Sequence, residues 1–418
     1  MKALLLNTFD IYGGAARAAY RLHRGLITAG VASRMLVQRK SSDDETVLGP
    51  ESKTEKALNM LRPHLDSLPV QLYRRRRRTL ISTALCAGNA AARLDELAPD
   101  IVHLHWICSG FFRIEALKRI RQPIVWTLHD MWAFTGGCHY NEMCEQYTVS
   151  CGSCPQLGST RQFDLSRHIW QRKRASWQDL QMTIVCPSEW LAQCARSSSL
   201  FKHQRIVVIP NGIDIEHYKP IARRTARELL NLTQDRSYIL FGAMDAASDQ
   251  RKGFPFLEPA LKRLASMASS KKVELLIFGA SGRSNAPDFG LPTRYFGRLH
   301  DDVSLNLLYS AADVFVAPSA QDNLANTVME AMASGTPCVA FRIGGMPDMI
   351  DHKINGYLAE PFVPSDLAQG ILWCLDQEDN GRTLSGLARL KVTNTFSLNA
   401  IAQRYQSLYD DVLLRNRS

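Results

Sequence analysis

Two carboxylates in the segment SAQDNLANTVMEAMASGTPCVAF, residues 319–341, are the first candidates for chemistry. Asp322 and Glu330 are eight positions apart, with an Asn-rich turn and the start of a predicted helix between them. One interpretation is that both face a single small polar ligand, because carboxylates accept hydrogen bonds from hydroxyl groups. The alternative is structural: Asp322 caps the helix and Glu330 lies on its solvated face.

A glycine pair, Gly13-Gly14, follows the first predicted strand in TFDIYGGAARAAYRLHRGL. A glycine turn that opens a helix presents backbone amides and the positive end of the helix dipole, which suits an anionic group. Such a turn is also a common tight connection between a strand and a helix. The G-x-G-x-x-G spacing of dinucleotide binders is missing, so an NAD site is not expected.

Cations and a second glycine pair occur in the other half of the chain. Arg251 and Lys252 stand just before a predicted helix in DQRKGFPFL, and Gly344-Gly345 follows a predicted strand in AFRIGGMPDMI. Cations beside helix-terminal amides match a phosphate or diphosphate. Each half of the chain therefore offers a glycine-cradled anion site, and the second half adds positive charge.

A histidine and an aspartate follow another predicted strand. His129 and Asp130 begin the loop of TLHDMWAFTGGCHY, directly after the run Ile124–Leu128. A lone histidine at such a position is more often structural, but the adjacent Asp130 and the pair Gly136-Gly137 favour a functional interpretation. In a doubly wound sheet this is the end at which ligands bind.

The elements that must position these residues alternate between short β-rich runs and longer helical stretches, which predicts parallel α/β sheets. The predicted strands are Lys2–Asn7, Ser33–Val37, Ile101–His105, Ile124–Leu128, Thr183–Cys186, Ile206–Ile209, Tyr238–Gly242, Val273–Phe278, Tyr295–Phe296, Val314–Ala317, Cys338–Phe341 and Tyr357–Leu358. The predicted helices are Gly14–Ala29, Ser82–Ala98, Phe111–Ile120, Leu165–Leu180, Glu189–Arg196, Phe256–Ala268, Val303–Ala311, Thr327–Ser334 and Pro364–Leu375.

Two cycles of this pattern are separated by VIPNGIDIEHYKP, a segment dense in turn formers that is interpreted as a hinge. The prediction is an α/β protein with two facing, doubly wound, Rossmann-like domains and a ligand crevice between them. The first domain covers 1–210, with a Cys-rich insertion at 136–156 and a C-terminal helix at 397–418 that packs back on it. The second domain covers 211–396 and binds the donor ligand.

Together these motifs resemble the retaining family-4 glycosyltransferases, which have the GT-B fold. The family motif is E-x7-E followed by A-M-A-x-G-x-P, and here Glu330 stands at the second Glu while Asp322 replaces the first. LHD, PNGID, RKG, YSAADVFVAPS and GGMPDMI also occur in the family's order, so the resemblance covers nearly the whole chain. HDMWAFTGGCHY with DNLANTVMEA is similar to the branch that builds exopolysaccharide, O-antigen and related surface glycans.

The resemblance implies transfer of a sugar from a nucleotide-diphosphate sugar, UDP- or GDP-linked, to a glycan or lipid-linked acceptor. It implies that Glu330 holds the ribose hydroxyls of the donor and that Asp322 lies near the donor-sugar hydroxyls. Lys252, together with Arg251, neutralises the diphosphate as it leaves. His129 contacts the donor sugar near the reacting carbon.

The same resemblance implies a wider cradle around the donor. Gly13 and Gly14 approach the donor phosphates or the acceptor, and Arg298, in YFGRLHDD, lines the base pocket. The remaining cradle residues are Asn323, Leu324, Ala325, Gly344 and Gly345.

Two departures from the family pattern matter. The family often carries an arginine where this chain has Ala243, so diphosphate binding relies on Arg251 and Lys252. The Glu-to-Asp change at Asp322 shortens that side chain by one methylene. No redox cofactor and no metal of the DxD type are expected, because the Arg-Lys pair can supply the positive charge.

Four cysteines are concentrated in CHYNEMCEQYTVSCGSC, at Cys138, Cys144, Cys151 and Cys154. A C-x2-C pair is the usual half of a structural zinc site, so these four thiols predict one bound zinc. Four free thiols, or two disulfides in an oxidising compartment, are the alternatives. Other functions left open are a sugar-nucleotide epimerase or other GT-B enzyme, or a zinc-stabilised interaction module.

The composition, 45% hydrophobic and 22% charged, is that of a soluble globular protein, with a cytoplasmic location as the default. The net charge is +10, and five arginines adjoin one another at Arg74–Arg78. No zinc-finger or RNP pattern accompanies them, so nucleic acid is not the expected partner. An anionic membrane surface at the inner face of the cytoplasmic membrane is the expected partner, and a solvated face is the alternative.

Overall fold

A computed structural model describes residues 1–86, 88, 90–242, 250–268, 271–280, 287–299, 301–379 and 381–416. These residues form two compact units. The first consists of Met1–Gly212 together with the C-terminal residues from Asn399, and the second consists of Ile213–Leu398. Ala243, at which the resemblance places a departure from the family, lies outside the described residues.

The first unit is built on a parallel sheet that has seven strands within the described residues, in the order β3-β2-β1-β4-β5-β6-β7. The strands are β1 Lys2–Phe9, β2 Ala32–Arg39, β3 Val47–Leu48, β4 Ile101–Leu104, β5 Ile124–Thr127, β6 Met182–Cys186 and β7 Arg205–Val208. The helices are α1 Gly14–Thr28, α2 Lys53–Gln71, α3 Ala90–Leu97, α4 Leu165–Trp177 and α5 Glu189–Ser197. Strands β4 and β5 are buried along their whole length, as expected for a parallel sheet covered by helices.

The second unit is built on another parallel sheet, and in the part of the chain that is described it has six strands in the order β10-β9-β8-β11-β12-β13. The strands are β8 Ser237–Gly242, β9 Val273–Phe278, β10 Thr293–Tyr295, β11 Val314–Ala317, β12 Cys338–Phe341 and β13 Gly356–Ala359. The helices are α6 Arg223–Leu229, α7 Phe254–Met267, α8 Asp302–Ala311, α9 Asn326–Ala333, α10 Met346–Met349, α11 Pro364–Leu375 and α12 Arg382–Thr395.

Both sheets reverse their strand order at one point. In the first sheet β1 lies between β2 and β4, and in the second sheet β8 lies between β9 and β11. The loops that leave the carboxyl ends of these strands run in opposite directions, which opens a crevice where doubly wound sheets bind their ligands. The loops after β1, β4, β8 and β11 are therefore the places to look for a site.

The last helix, α13 at Leu398–Arg415, packs on the first sheet. The Tyr409 hydroxyl is 2.6 Å from His103 Nδ1, and the Tyr405 hydroxyl is 2.8 Å from Thr127 Oγ1. His103 Nε2 is in turn 2.7 Å from Thr127 Oγ1. These four side chains are buried, so α13 is joined to β4 and β5 through a closed polar network.

Several predicted elements differ from the structure. The predicted helix Ser82–Ala98 is wrong in its first half, because only Ala90–Leu97 is helical. Residues near Thr83 are extended instead, since Thr83 and Leu85 donate hydrogen bonds to the buried Asp66 carboxylate on α2. The predicted helix Phe111–Ile120 is a 3-10 helix over Ile114–Arg119.

Helices α2 and α12 were not predicted. Prolines ordinarily break helices, so the prolines at positions 63 and 69 argued against a helix where the structure has one of 19 residues.

Within the described part of the chain, no helix combines the length and the hydropathy that crossing a bilayer requires.

Candidate functional site

Two loops at the carboxyl edge of the second sheet are joined through their backbones. The loop after β8 ends in a 3-10 turn at Gln250–Lys252, and the loop after β11 begins at Pro318. Gly253 has φ +73°, and a Cβ atom there would lie 1.6 Å from the Pro318 carbonyl oxygen. The Ala320 amide donates to the Arg251 carbonyl at 2.7 Å. Glycine at 253 therefore allows the turn that carries Lys252 to sit directly against the end of β11.

Lys252 and Asp322 form an ion pair across these loops, with 3.0 Å between Lys252 Nζ and Asp322 Oδ2. The lysine side chain is about one-third exposed (35%), whereas that of Asp322 is only 12% exposed. The cation thus lies at the rim of the strand-order reversal with its partner carboxylate beneath it. The sequence-predicted residues Lys252 and Asp322 are brought together here.

A third loop, after β12, closes on Asp322 from the other side. Gly344 has φ +52°, and a Cβ atom there would lie 1.9 Å from the Asp322 carbonyl oxygen. The Gly345 amide donates to that same carbonyl at 3.2 Å. The predicted glycine pair therefore holds the Asp322 backbone, and only glycine fits the close approach at position 344.

Glu330 lies on α9 and is only 2% exposed, so it is not a solvated helix residue. The Tyr309 hydroxyl, on α8, donates to Glu330 Oε2 at 3.3 Å. Burial, together with the charge of Glu330, raises the pKa of Tyr309, so the phenol stays neutral and remains a donor. Asp322 is not the helix cap either, because α9 begins after Ala325. The structural alternative for these two carboxylates is wrong.

The other predicted residues of the second unit lie along the same sheet edge. Arg251 is in the turn of Lys252, and the segment between Asp322 and α9 is buried. This segment consists of Asn323, Leu324 and Ala325. Arg298 follows β10, two strands beyond β8, where the Gly297 carbonyl accepts from the Gly279 amide at 2.7 Å. Arg298 therefore lies at the outer end of the edge on which Lys252 lies near the centre.

In the first unit, side chains at the end of β1 hold the loop after β4. The Trp106 amide donates to Asn7 Oδ1 at 2.8 Å, and Thr8 Oγ1 donates to the Trp106 carbonyl at 2.9 Å. Gly13 then precedes α1 with φ +89°, and a Cβ atom there would meet nothing within 4 Å. Gly13 and Gly14 thus open α1 beside the strand-order reversal, with open space at the turn.

Asp130 is the centre of a hydrogen-bonded group in the loop after β5. Its Oδ2 accepts from His139 Nδ1 at 2.6 Å and from Trp106 Nε1 at 2.9 Å, and its Oδ1 accepts from the Trp132 amide at 2.8 Å. Burial alone would raise the pKa of Asp130, but the charge and hydrogen bond of His139 outweigh it and hold the pKa below its usual value. His139 Nε2 lies 2.9 Å from the Ser82 hydroxyl. The carboxylate therefore fixes the backbone next to His129.

His129 Nε2 is 3.0 Å from Nδ1 of His105, which follows β4. Burial lowers the pKa of His129 to about 4 and that of His105 well below its usual value. Both imidazoles are therefore neutral near pH 7, and one must donate to the other. His105 and Trp106 were missed from the sequence, although HLHW at the end of a predicted strand is the same signal that marked His129.

The zinc prediction is not supported by the structure. Among the residues that are described, no group of three or more His, Cys, Asp or Glu side chains is arranged to hold a metal ion. All ten cysteines are free, so the disulfide alternative is not observed either. Burial raises the pKa of Cys138, Cys151 and Cys154, that of Cys151 to about 12, so these groups are thiols when no metal is bound.

Two of the clustered cysteines contact the surrounding protein. Cys151 Sγ accepts from the Gly136 amide at 3.0 Å, and Cys154 packs with Val70, Ile81 and Leu157. The C-x5-C-x6-C-x2-C motif begins with Cys138 and Cys144. Its cysteines are therefore part of the packed insertion.

Comparison with known proteins identifies the family. The model of Glycosyltransferase Family 4 matches residues 12–217, and that of Glycosyl transferases group 1 matches residues 236–377. WcaC of Escherichia coli, named as a glycosyl transferase of colanic acid biosynthesis, is 24% identical over 359 residues, which cover 81% of this chain and 83% of WcaC.

Solved structures agree on the fold. Sucrose-phosphate synthase of Thermosynechococcus elongatus has a TM-score of 0.69 at 19% identity, with 99% of each chain covered. HepE of Anabaena, in complex with UDP-glucose, has a TM-score of 0.63 at 16% identity, with 98% of this chain and 100% of HepE covered. The chain belongs to glycosyltransferase family 4 and is a glycosyltransferase of the GT-B fold.

Proposed function

We propose that this glycosyltransferase is a retaining hexosyltransferase that moves a sugar from a UDP- or GDP-linked donor to a glycan or lipid-linked glycan in polysaccharide biosynthesis. The observation that carries the proposal is the Lys252–Asp322 ion pair at the strand-order reversal of the second sheet, with buried Glu330 on the helix that follows. A cation paired with one carboxylate, and a second carboxylate on the next helix, suit a ligand in which a diphosphate joins two hydroxyl-rich groups. The UDP-glucose complex of HepE and the name of WcaC support the same substrate class.

The ion pair suggests how donor binding begins. Without a donor, Asp322 neutralises Lys252 at 3.0 Å. A diphosphate carries more negative charge than one carboxylate, so it competes for the lysine. Asp322, released from Lys252, is then available to accept a hydrogen bond from a donor-sugar hydroxyl. Capture of the diphosphate and orientation of the sugar are coupled in this scheme.

The same cation assists the chemical step. Breaking a glycosyl–diphosphate bond through an oxocarbenium-like state leaves growing negative charge on the diphosphate. Lys252 and Arg251, with the amide of Gly344 near them, stabilise that charge without a proton donor. Interactions that strengthen as the charge grows raise turnover rather than affinity alone.

Glu330 is proposed to hold the ribose of the donor. A carboxylate is well suited to accept hydrogen bonds from two neighbouring hydroxyls. The hydrogen bond from Tyr309 fixes the orientation of Glu330 before the donor arrives. Asn323, Leu324 and Ala325 would contribute backbone groups beside it, and Arg298 would lie toward the nucleobase.

The first unit is proposed to bind the acceptor side of the reaction. His129 is neutral near pH 7 and is oriented by His105 and by the anchored Asp130. A neutral imidazole can exchange hydrogen bonds with a sugar hydroxyl near the reacting carbon. Gly13 and Gly14 leave space for the phosphates of the donor or for the acceptor. We place the enzyme in the cytoplasm, at the inner face of the cytoplasmic membrane where lipid-linked acceptors are used.

Donor binding and stereochemistry test the proposal directly. Thermal-shift screening of the purified protein against UDP-, GDP- and ADP-hexoses should show stabilisation by a UDP- or GDP-sugar. The anomeric configuration of the product, read by NMR from a labelled donor, should equal that of the donor. Absence of binding to all nucleotide sugars, or an inverted product, would contradict the proposal.

Glu330→Gln tests the donor site itself. The change keeps the volume and removes the charge, so it should abolish stabilisation by the donor and reduce transfer to background while the protein stays folded. Glu330→Ala should do the same. Glu258→Gln is the matched control, because Glu258 lies on α7 of the same unit, where it pairs with Lys262 at the surface. A Glu330→Gln enzyme with wild-type donor affinity would remove Glu330 from the donor site.

A further inference from the structure

We propose that helix α2 and the arginine run Arg74–Arg78, which follows it directly, form a docking surface for an anionic membrane. The inference deepens the proposed function by naming the surface that would bring a transferase to a lipid-linked acceptor. Membrane binding is measured without donor or acceptor. A failure of membrane binding therefore leaves the proposed transfer activity untouched, and a failure of transfer activity leaves membrane binding untouched.

The inward face of α2 is held by polar contacts. The Asp66 carboxylate is buried and accepts hydrogen bonds from the Thr83 hydroxyl at 2.9 Å and from the Leu85 amide at 2.8 Å. About two turns earlier, Asn59 Nδ2 donates to the Gln38 carbonyl at 2.9 Å. Val70 is the only apolar residue of α2 that is buried among the described residues. The helix is therefore attached to the first unit mainly by hydrogen bonds.

The outward face of α2 is apolar instead. Five leucines at steps of three and four residues form a single stripe along this face, and each is between 49% and 81% exposed. This leucine stripe consists of Leu58, Leu61, Leu65, Leu68 and Leu72. Met60, beside it, is 67% exposed. An amphipathic helix normally turns its apolar stripe to the core, so the polarity of α2 is reversed. Such a contiguous exposed patch marks an interaction surface.

Charge identifies the occupant. All five residues of Arg74–Arg78 are exposed, and Lys53 and Lys56 add positive charge near the start of α2. Few acidic side chains oppose them: Glu142 pairs with Arg77, and Glu55 accepts from the Glu51 amide in the N-terminal cap. A second copy of the chain could also cover a leucine stripe, but its own α2 surface carries the same cations and few acidic side chains to pair with them. A partner with an apolar interior and a negatively charged surface matches the leucine stripe and the arginine run better than a second copy does.

An anionic bilayer has this combination of properties. A helix lying in the interface buries its apolar face to a depth of about 5–10 Å, and basic residues beside it meet the phosphate groups. Arg76 donates to the carbonyls of Gln71 and Tyr73, which caps the end of α2 and links the run to the helix. Leucine stripe and arginine run thus form one continuous element with apolar and cationic parts.

Vesicle binding of the full-length protein tests the leucine stripe. Sedimentation with vesicles of phosphatidylcholine and phosphatidylglycerol should show binding that falls about tenfold or more in the variant Leu61→Gln/Leu65→Gln/Leu68→Gln. The matched control is Leu229→Gln/Leu390→Gln/Leu414→Gln, which changes three leucines that are equally exposed on other helices. Circular dichroism and the melting temperature confirm that both variants are folded. Equal loss in the two variants, or no loss in the first, would overturn the proposal.

The arginine run is tested separately. Replacing Arg74, Arg75 and Arg78 by Gln should weaken binding by about fivefold for each arginine, which is about 1 kcal/mol apiece. Added salt should reduce wild-type binding, and vesicles of phosphatidylcholine alone should bind weakly. Analytical ultracentrifugation without vesicles tests whether a second copy of the chain binds the leucine stripe instead. A dimer that dissociates in the leucine variant, with no binding to vesicles, would assign the stripe to a second copy of the chain and overturn the membrane proposal.

Discussion

The carboxyl edges of the two sheets share one topology and carry different chemistry. At the carboxyl edge of the first sheet, two neutral imidazoles, His105 and His129, share a hydrogen bond, and Trp106 donates to the buried Asp130 carboxylate. At the reversal of the second sheet the side chains are charged, with Lys252 paired to Asp322. In both sheets, short hydrogen bonds to backbone atoms join the two chain segments that meet at the reversal.

This difference shows that one topology can present two kinds of surface to a ligand. A strand-order reversal creates space and aligned loops, but it does not determine what binds there. The charged edge suits a diphosphate donor, because a fixed cation stabilises a leaving anion. The neutral edge suits hydroxyl groups, because neutral imidazoles neither attract a second anion nor demand desolvation of a charge. Three predictions probe the contrast.

The largest expected effect is on acid stability, which should be lost in the first unit before the second. Burial lowers the pKa of His103 to about 3, that of His129 to about 4 and that of His105 well below 6.5. Below pH 6.5 the unfolded chain binds protons that the folded unit does not. Stability is therefore complete above pH 6.5 and falls as the pH drops toward 4, by up to about 1.4 kcal/mol per histidine and pH unit.

Tryptophan fluorescence separates the two units in this experiment. Of the seven tryptophans, only Trp373 lies within Ile213–Leu398. Urea unfolding between pH 7 and pH 4.5 should show a midpoint that falls with pH in the fluorescence signal. His103→Gln should make the dependence on pH shallower, whereas His203→Gln, at an exposed position of the same unit, should not. A midpoint independent of pH would mean that these histidines do not remain neutral in the folded unit.

The second prediction breaks the charged edge. Lys252→Ala should reduce turnover about 10²- to 10³-fold, because a preorganised cation is lost where negative charge develops. The free energy of unfolding should change by no more than about 1 kcal/mol, since the pair lies at a partly exposed rim. Lys262→Ala, at an exposed lysine on α7, is the matched control and should be unchanged in both. Wild-type turnover in Lys252→Ala would place this lysine outside the reaction.

Much of this architecture could be predicted from the sequence, for identifiable reasons. Short apolar runs such as Val314–Ala317, alternating with longer helical stretches, predicted both parallel sheets, and the GT-B fold and the glycosyltransferase family are confirmed. The proximity of Lys252 and Asp322 follows from the same logic, because β8 and β11 are neighbours. Strand order thus explains why residues far apart in the sequence lie together.

What could not be predicted depends on packing between distant segments. His105 meets His129 only because Leu104 of β4 is paired with Trp126 of β5, a register that the sequence does not reveal. Helix α2 was missed because its leucines face outward while Asp66 faces inward. The cysteine spacing predicted a zinc site, but among the described residues no three His, Cys, Asp or Glu side chains are arranged to hold a metal ion.

The smallest expected effect concerns the neutral network that supports the first edge. Tyr409→Phe removes the hydroxyl that lies 2.6 Å from His103 Nδ1, and it leaves a buried nitrogen without that partner. The free energy of unfolding should fall by about 1–2 kcal/mol, the cost of leaving a buried polar group unsatisfied. Tyr12→Phe is the control, because Tyr12 is 67% exposed and should change stability by less than about 0.5 kcal/mol. Urea unfolding followed by tryptophan fluorescence measures both variants. The loss should shrink in the background of His103→Phe, which already lacks the imidazole; an undiminished loss there would show that Tyr409 stabilises the unit through other contacts.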